Sequence, residues 1–523
     1  MLGFLLSLCL GVATVGAVEK VAGSQDTVKM ASVDRPAWLD KLEKQIDYEE
    51  MMSGLEGRRE KLEKTFRGMK KKFIDQVQEH VSPASAGGGF HDSWAAHQMG
   101  QSYLLGPSQT AVQGSVGGGH CLSSAPVKTY DITAINVEIT LNQWGDYYPG
   151  YMFAITSHIP AIRAEEARNA KARESFTDPG AVTNGAQGDE ITPLNIRGNQ
   201  GDCIRFKVTN GVEDEDIGFQ VNGSAMIISS SGAPVTAATA GAIIPAGGTA
   251  EFEWQIPVDE QEGVHTITSH AGRDPQALGL MGAFVVEQMG SVYLSPWEEG
   301  KPLENGWEAI IHNPNPKIRD FREFTLFYHE IGDESFRPLN SHGEMIPQRD
   351  PQTDAYRPSA RALNYRSEPF GINPLANQEK SFHFEDESLA YSSYTFGDTP
   401  TTIPRSYLGD PAKFRLVHGG GEVFHSHHPH GGTIRWQRSP KREVQENNLL
   451  NAGWWGPVKY PVVRTTTDRV DVEVIGPSEA LDLQLECGSG LCQHMAGDFL
   501  FHCHVAHHYV AGMWGYWRVY NTL

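Results

Sequence analysis

An ungapped internal repeat constrains this chain more than any other feature. GDCIRFKVTNG at residues 201–211 recurs as GDPAKFRLVHG at 409–419, an offset of 208. Carried onward, that offset places Gln220 on His428, Asn222 on His430 and Gly223 on Gly431. Further along, Thr268-Ser269-His270 falls on His502-Cys503-His504. One inserted residue then aligns Gly279-Leu280-Met281-Gly282 with Gly512-Met513-Trp514-Gly515. Both copies close on an apolar strand, AFVVE and YWRVYN. Such self-similarity marks a duplicated structural unit. The reading is two copies of one domain, at 126–290 and 318–523, joined by a connection over 291–317. The second copy carries a Pro/Arg-rich insertion between about 333 and 395.

The repeated unit reads as β. From about residue 126 the chain breaks into short runs such as YDITAINVEITL, CIRFKVTN, GTAEFEWQI, REFTLFYHEI, RVDVEVIG and GDFLFHC, divided by Gly/Pro turns. Alternation within these runs fits strands half-buried in a sandwich. The 55 Gly and 30 Pro of the 523-residue chain supply the turns.

The first part differs. Residues 2–17, LGFLLSLCLGVATVGA, form an apolar run ending in small residues, as an export signal over 1–17 cut after Ala17 does. Its lack of a basic leader leaves a retained anchor as the rival. Residues 18–82 form a charged extension. Within it Leu55, Leu62, Phe66, Met69 and Phe73 fall at helical spacing until Pro83, so a helix is expected, packed on its own chain or oligomerising. Residues 83–125 are a Gly/Ser-rich linker. A formal charge of −21 argues against nucleic acid or an anionic membrane as partner. Export to an oxidising, extracytoplasmic compartment leaves Cys121, Cys203, Cys487 and Cys492 three disulfide pairings or free thiols, with a local Cys487–Cys492 bridge among them.

Chemistry concentrates near the C-terminus. In FHCHVAHHYVAGMWG, Cys503, His508 and Met513 offer a thiolate, an imidazole and a thioether, and His425 of FHSHHPHGG offers a second imidazole. Two His, one Cys and a weak axial Met form a blue-copper ligand set, whose soft sulfur and imidazole donors suit copper cycling between its two oxidation states. With period-two geometry, a Cys503 facing that copper sends His502 and His504 to the opposite face, and His428 and His430 likewise share a face. His265, His418, His427, His494 and His507 read as outer-layer or surface histidines, with His425/His427 an alternative pairing.

HCHxxxHxxxGM at 502–513 and HxxHxHG at 425–431 resemble the two C-terminal copper motifs of the multicopper oxidases. FREFTLFYHEIGDE, NYRSEPFG and YSSYTFGDT look like the ceruloplasmin-related and bacterial manganese-oxidase-like branch. The resemblance covers about 126–523. It implies an all-β fold of two cupredoxin-like Greek-key β-sandwich domains, here behind an N-terminal helical extension. It also implies a type 1 copper at His425, Cys503, His508 and Met513 that takes electrons from a metal ion or small reductant. Cys503 with His502 and His504 would form the electron route to a trinuclear copper cluster of eight histidines, where O2 is reduced. In two-domain relatives that cluster lies between chains of a homotrimer.

This sequence departs from that pattern. His428, His430, His502 and His504 fill the C-terminal cluster positions, but the repeat puts Gln220, Asn222 and Thr268 where histidines are expected, leaving His270 alone. A reduced or altered cluster follows, since amides and a hydroxyl are poor substitutes for imidazole at copper. A copper-dependent oxidoreductase is the leading expectation, ahead of a type 1 copper electron carrier without O2 reduction and a non-catalytic cupredoxin scaffold. GxSxG, HExxH and P-loop motifs in a supporting context are absent.

Overall fold

The computed structural model describes residues 120–521 apart from 176–184, 214, 272–273, 317–318, 333–337, 347–359, 371–390, 392, 394–396, 432–435, 438–470 and 486. All lie in one compact unit, Tyr103–Leu523. The signal-like run, the helical stripe of 36–82 and most of the 83–125 linker fall outside the described residues. No described helix is long and apolar enough to cross a membrane.

The architecture is all-β, two sandwiches in succession. In the first, β1 (Val127–Thr140), β2 (Tyr147–Ile155), β4 (Cys203–Gly211), β7 (Ile227–Ile228) and β9 (Thr249–Gln255) form one sheet in the order β2-β1-β4-β9-β7. Facing it are β3 (Leu194–Asn199), β6 (Gln220–Val221), β10 (Gly263–Thr268) and β11 (Met281–Glu287), in the order β3-β11-β10-β6. A small hairpin pairs β5 (Ile217–Gly218) with β8 (Ile243–Ile244). Alternation builds the core: on β4, Ile204, Phe206 and Val208 point inward while Arg205 and Lys207 point out.

The second sandwich repeats the plan. Its first sheet runs β12 (Val292–Leu294), β13 (Glu308–His312), β14 (Phe321–Ile331), β17 (Ala412–His418), β21 (Ala480–Leu485), β19 (Trp436–Gln437), with β15 (Ala360–Leu363) also on β14. Its second runs β16 (Arg405–Tyr407), β23 (Trp514–Tyr520), β22 (Gly497–Cys503), β18 (His425–Pro429), β20 (Glu473–Ile475). The match extends to strand direction: β1 and β4 are parallel, as are β14 and β17, and β3 with β11 answers β16 with β23. Register agrees too. Gln220 pairs with Thr268 where His428 pairs with His502, and Thr268 pairs with Met281 where His502 pairs with Trp514.

A shared apolar core joins the sandwiches. Along β1 the inward set shifts phase: Tyr130, Ile132 and Ala134 serve the first core, then Ile135, Val137 and Ile139 meet Phe327, Ile331, Tyr365 and Val417 of the second sandwich. Beside this contact lies a buried ion network. Arg415 donates to Asp482 (2.7 Å), Glu287 (2.8 Å), Glu262 (2.9 Å) and Glu323 (3.0 Å), and Arg197 reaches Glu323 at 2.7 Å. Burial drives Glu287 well above the usual carboxylate range, whereas for Glu323 the charges of Arg197 and Arg415 outweigh burial and hold it low. Opposite directions on these two neighbouring carboxyls are what one buried proton shared beside two guanidinium groups would give.

Two features go beyond the sequence-based expectation. A 17-residue helix, α1 (Ile159–Ser175), follows β2. The cysteines pair as Cys121–Cys203 and Cys487–Cys492, leaving Cys503 as the free thiol among the described residues.

Candidate metal centre

Two adjacent strands and a turn of helix build the first site. His425 opens β18, Cys503 ends β22, and His508 sits in α2 (Ala506–Val510), one short turn beyond. The chain then doubles back: the Met513 amide donates to the His508 carbonyl (3.1 Å) and the Cys503 amide to the Met513 carbonyl (3.0 Å). His425 Nδ1 lies 3.3 Å from His508 Nδ1 and 3.9 Å from Cys503 Sγ, and His508 Nδ1 is 3.4 Å from that sulfur. Donors about 2.0–2.3 Å from one ion stand roughly 3.3–3.8 Å apart, so the three atoms are spaced to share a metal. Met513 is fully buried in the same core cluster as Cys503.

The site is closed. His425, Cys503 and Met513 are inaccessible and His508 is 2% exposed. Burial, reinforced by Arg361, pushes His508 down to about 2; burial also takes His425 to about 4, so both rings are neutral with lone pairs available at ordinary pH. Burial raises the Cys503 thiol to about 11, so a bound cation would have to displace its proton.

An outer layer orients the ligands. Glu330 Oε1 stands 2.9 Å from His425 Nε2, which turns Nδ1 toward Cys503 and His508. For Glu330, burial raises the carboxyl but the His425 contact outweighs it and holds it down at about 2. His418 stacks on His425 with ring centres 4.7 Å apart, its nitrogens against the carbonyls of Gly420 and Val423. The Ser426 amide donates to Cys503 Sγ at 3.3 Å. His427 faces the core, where Tyr328 Oη meets its Nδ1 at 2.6 Å; the alternative pairing of His425 with His427 is therefore not the arrangement found. Sequence reasoning missed Glu330, although an acid at the end of the apolar run FTLFYHEI is itself a flag, because charged groups are rarely buried without a partner.

The opposite face of β18 and β22 carries a second group. His428 Nδ1 lies 3.2 Å from His502 Nε2, and His430 Nε2 lies 2.9 Å from that same nitrogen. The His504 ring centre is 4.8 Å from that of His428. His430 and His504 are exposed and His502 is buried. Burial, reinforced by the neighbouring imidazoles, depresses His502 to about 4.

The first sandwich keeps this framework without the donors. Ile217, Ser269 and Leu280 stand where the second has His425, Cys503 and Met513, and the Gly218 amide donates to Ser269 Oγ (3.0 Å) as Ser426 does to Cys503. Asn222 Nδ2 donates to Thr266 Oγ1 (2.6 Å), and Thr268 Oγ1 donates to Asn222 Oδ1 (3.3 Å). His270 lies away from these groups, packed over Gly218, where an added Cβ would come within 2.6 Å of its Nδ1. These residues do not fit an eight-histidine trinuclear cluster.

No family model matches the sequence, and no curated protein matches it. Among solved structures, a multicopper oxidase superposes with a TM-score of 0.41 at 13% identity, over 77% of this chain and 93% of its own. A copper nitrite reductase from Nitrosomonas europaea gives 0.42 at 13% identity, over 76% and 94%. A blue copper oxidase from the same organism gives 0.38 at 15% identity, over 75% and 86%.

Proposed function

We propose that this chain is a copper-dependent oxidoreductase, exported from the cytoplasm, that takes single electrons from a metal ion or small reductant at a site formed by His425, Cys503, His508 and Met513. The observation that carries this reading is the convergence of two imidazole nitrogens and a thiol sulfur within 3.3–3.9 Å in a sealed core. Two His, one Cys and a Met is a donor set for copper rather than for Mg2+, Ca2+ or Mn2+. A copper ion held there would supply a one-electron couple.

The chain supplies the rest. Glu330 fixes which His425 nitrogen faces inward, and the Ser426 amide steadies the Cys503 sulfur. The backbone of β22 joins Cys503 covalently to His502 and His504 on the other face, a through-bond route out of the closed site. Two disulfides among the described residues suit an oxidising compartment. A second reading, a carrier that passes electrons on without reducing O2, is favoured by Gln220, Asn222 and Thr268 and is separated by O2 consumption.

The test is Cys503→Ser in protein purified with excess copper. Loss of an intense thiolate band near ~600 nm, together with loss of substrate oxidation, is expected for a His2Cys copper site. Colour that survives the substitution would falsify the assignment.

A further inference from the structure

We infer that His428, His430 and His502 form a mononuclear metal site, bordered by the His504 ring and carried by one chain in place of a trinuclear cluster. This rests on the proposed copper chemistry for the identity of the ion, but its geometry is independent of the Cys503 site.

The inner nitrogens are His428 Nδ1, His430 Nε2 and His502 Nε2, all within 4.8 Å of one another. The outer nitrogens of His502 and His428 are engaged in the manner of metal-bound imidazoles. His502 Nδ1 donates to the Cys503 carbonyl (3.0 Å), which leaves Nε2 with its lone pair inward. His428 Nε2 faces Asp471 Oδ1 at 3.4 Å, which leaves Nδ1 inward. Separations of 2.9 and 3.2 Å are a few tenths short of the roughly 3.3 Å between imidazole nitrogens at about 2.0–2.1 Å from a tetrahedral ion. An all-imidazole set selects Cu2+, Zn2+ or Ni2+ over Mg2+ and Ca2+.

One ion is the number this donor set supports. The equivalent face of the first sandwich has Gln220, Asn222 and Thr268, and Asn222 is hydrogen-bonded to both Thr268 and Thr266. His270 is turned to Gly218. Three converging imidazoles, with the His504 ring beside them, serve one ion; they are too few for three.

The experiment loads the full chain with Cu2+, removes the excess, and reads copper per chain beside the visible and EPR spectra, for wild type and His428→Ala/His430→Ala. Two coppers in wild type are expected. The double variant should hold one and keep the ~600 nm band, which also reports that it has folded. One copper in wild type, lost from the double variant and colourless throughout, would uphold this site and overturn the Cys503 reading. Three or more coppers per chain, with an EPR-silent coupled pair, would overturn the mononuclear site, as would copper content unchanged by the double substitution.

Discussion

At the scale of single residues, Glu330 governs the closed site most directly. Its carboxylate stands 2.9 Å from His425 Nε2 and carries negative charge at ordinary pH. A carboxylate behind a ligating imidazole makes that ligand more basic and favours the more highly charged metal. Glu330→Gln keeps the shape and removes the charge, so the Cu2+/Cu+ potential of the proposed copper site should rise. A tenfold loss of preference for Cu2+ corresponds to about 59 mV for one electron. Gly420→Ala checks the same idea by a different route, since its Cβ would come 1.7 Å from Glu330 Oε2 and displace the carboxylate. Spectroelectrochemical titration should find both variants above wild type; an unchanged or lower potential in both would remove Glu330 from the account.

At the scale of elements, the decisive piece is the strap after β15, residues 363–370, which ties the Met513 turn to the first sandwich. The Ser367 amide donates to the Leu141 carbonyl, the Glu368 amide to that of Gly512, and Trp514 Nε1 to that of Glu368. Gly512 permits this approach: its φ is +115°, and an added Cβ would meet Ser367 Oγ at 2.1 Å and the Glu368 nitrogen at 2.7 Å. Gly512→Ala should cost about 1–3 kcal/mol, as overpacking against backbone does, and should shift the thiolate band by moving Met513. Denaturant unfolding and the visible spectrum are the measurements; wild-type values for both would show the strap to be passive. Much of this framework is legible in sequence, because period-two strands hold register: the 208-residue offset placed Gln220 and His428 at equivalent positions, and the strand pairings agree. Helix α1 was not legible. IPAIRAEEARNAKARES has strong helix formers but no apolar stripe, so periodicity is silent where propensity speaks. The strap's contacts and the Cys121–Cys203 pairing join residues far apart in the chain, and no local pattern encodes them.

Over the whole molecule, buried charge sets how stability should depend on pH. For Glu262, Arg415 and Lys413 outweigh burial and hold the carboxyl down at about 2. Glu323 is likewise held low, so both contribute stability that is present above the ordinary carboxylate range and lost as pH falls through their folded values. Glu308 works in the opposite sense. It is 4% exposed on β13, and burial pushes it up to about 8 despite the charges of Arg322 and Arg405. The folded chain keeps a proton there that the unfolded chain loses near pH ~4.3, so stability declines as pH rises from about 4 to about 8. The two limbs place the optimum on the acid side of neutrality. The charge of −21 adds self-repulsion in the same direction as pH rises, so wild type alone cannot isolate Glu308. Glu308→Gln does so. Wild type should lose stability between pH 5 and pH 8, and the variant should lose less by on the order of a few kcal/mol. Urea unfolding of both proteins at the two pH values measures the difference. Parallel losses would mean that Glu308 ionises in the fold as it does in water, and that the buried Arg415 network and surface repulsion alone set the profile.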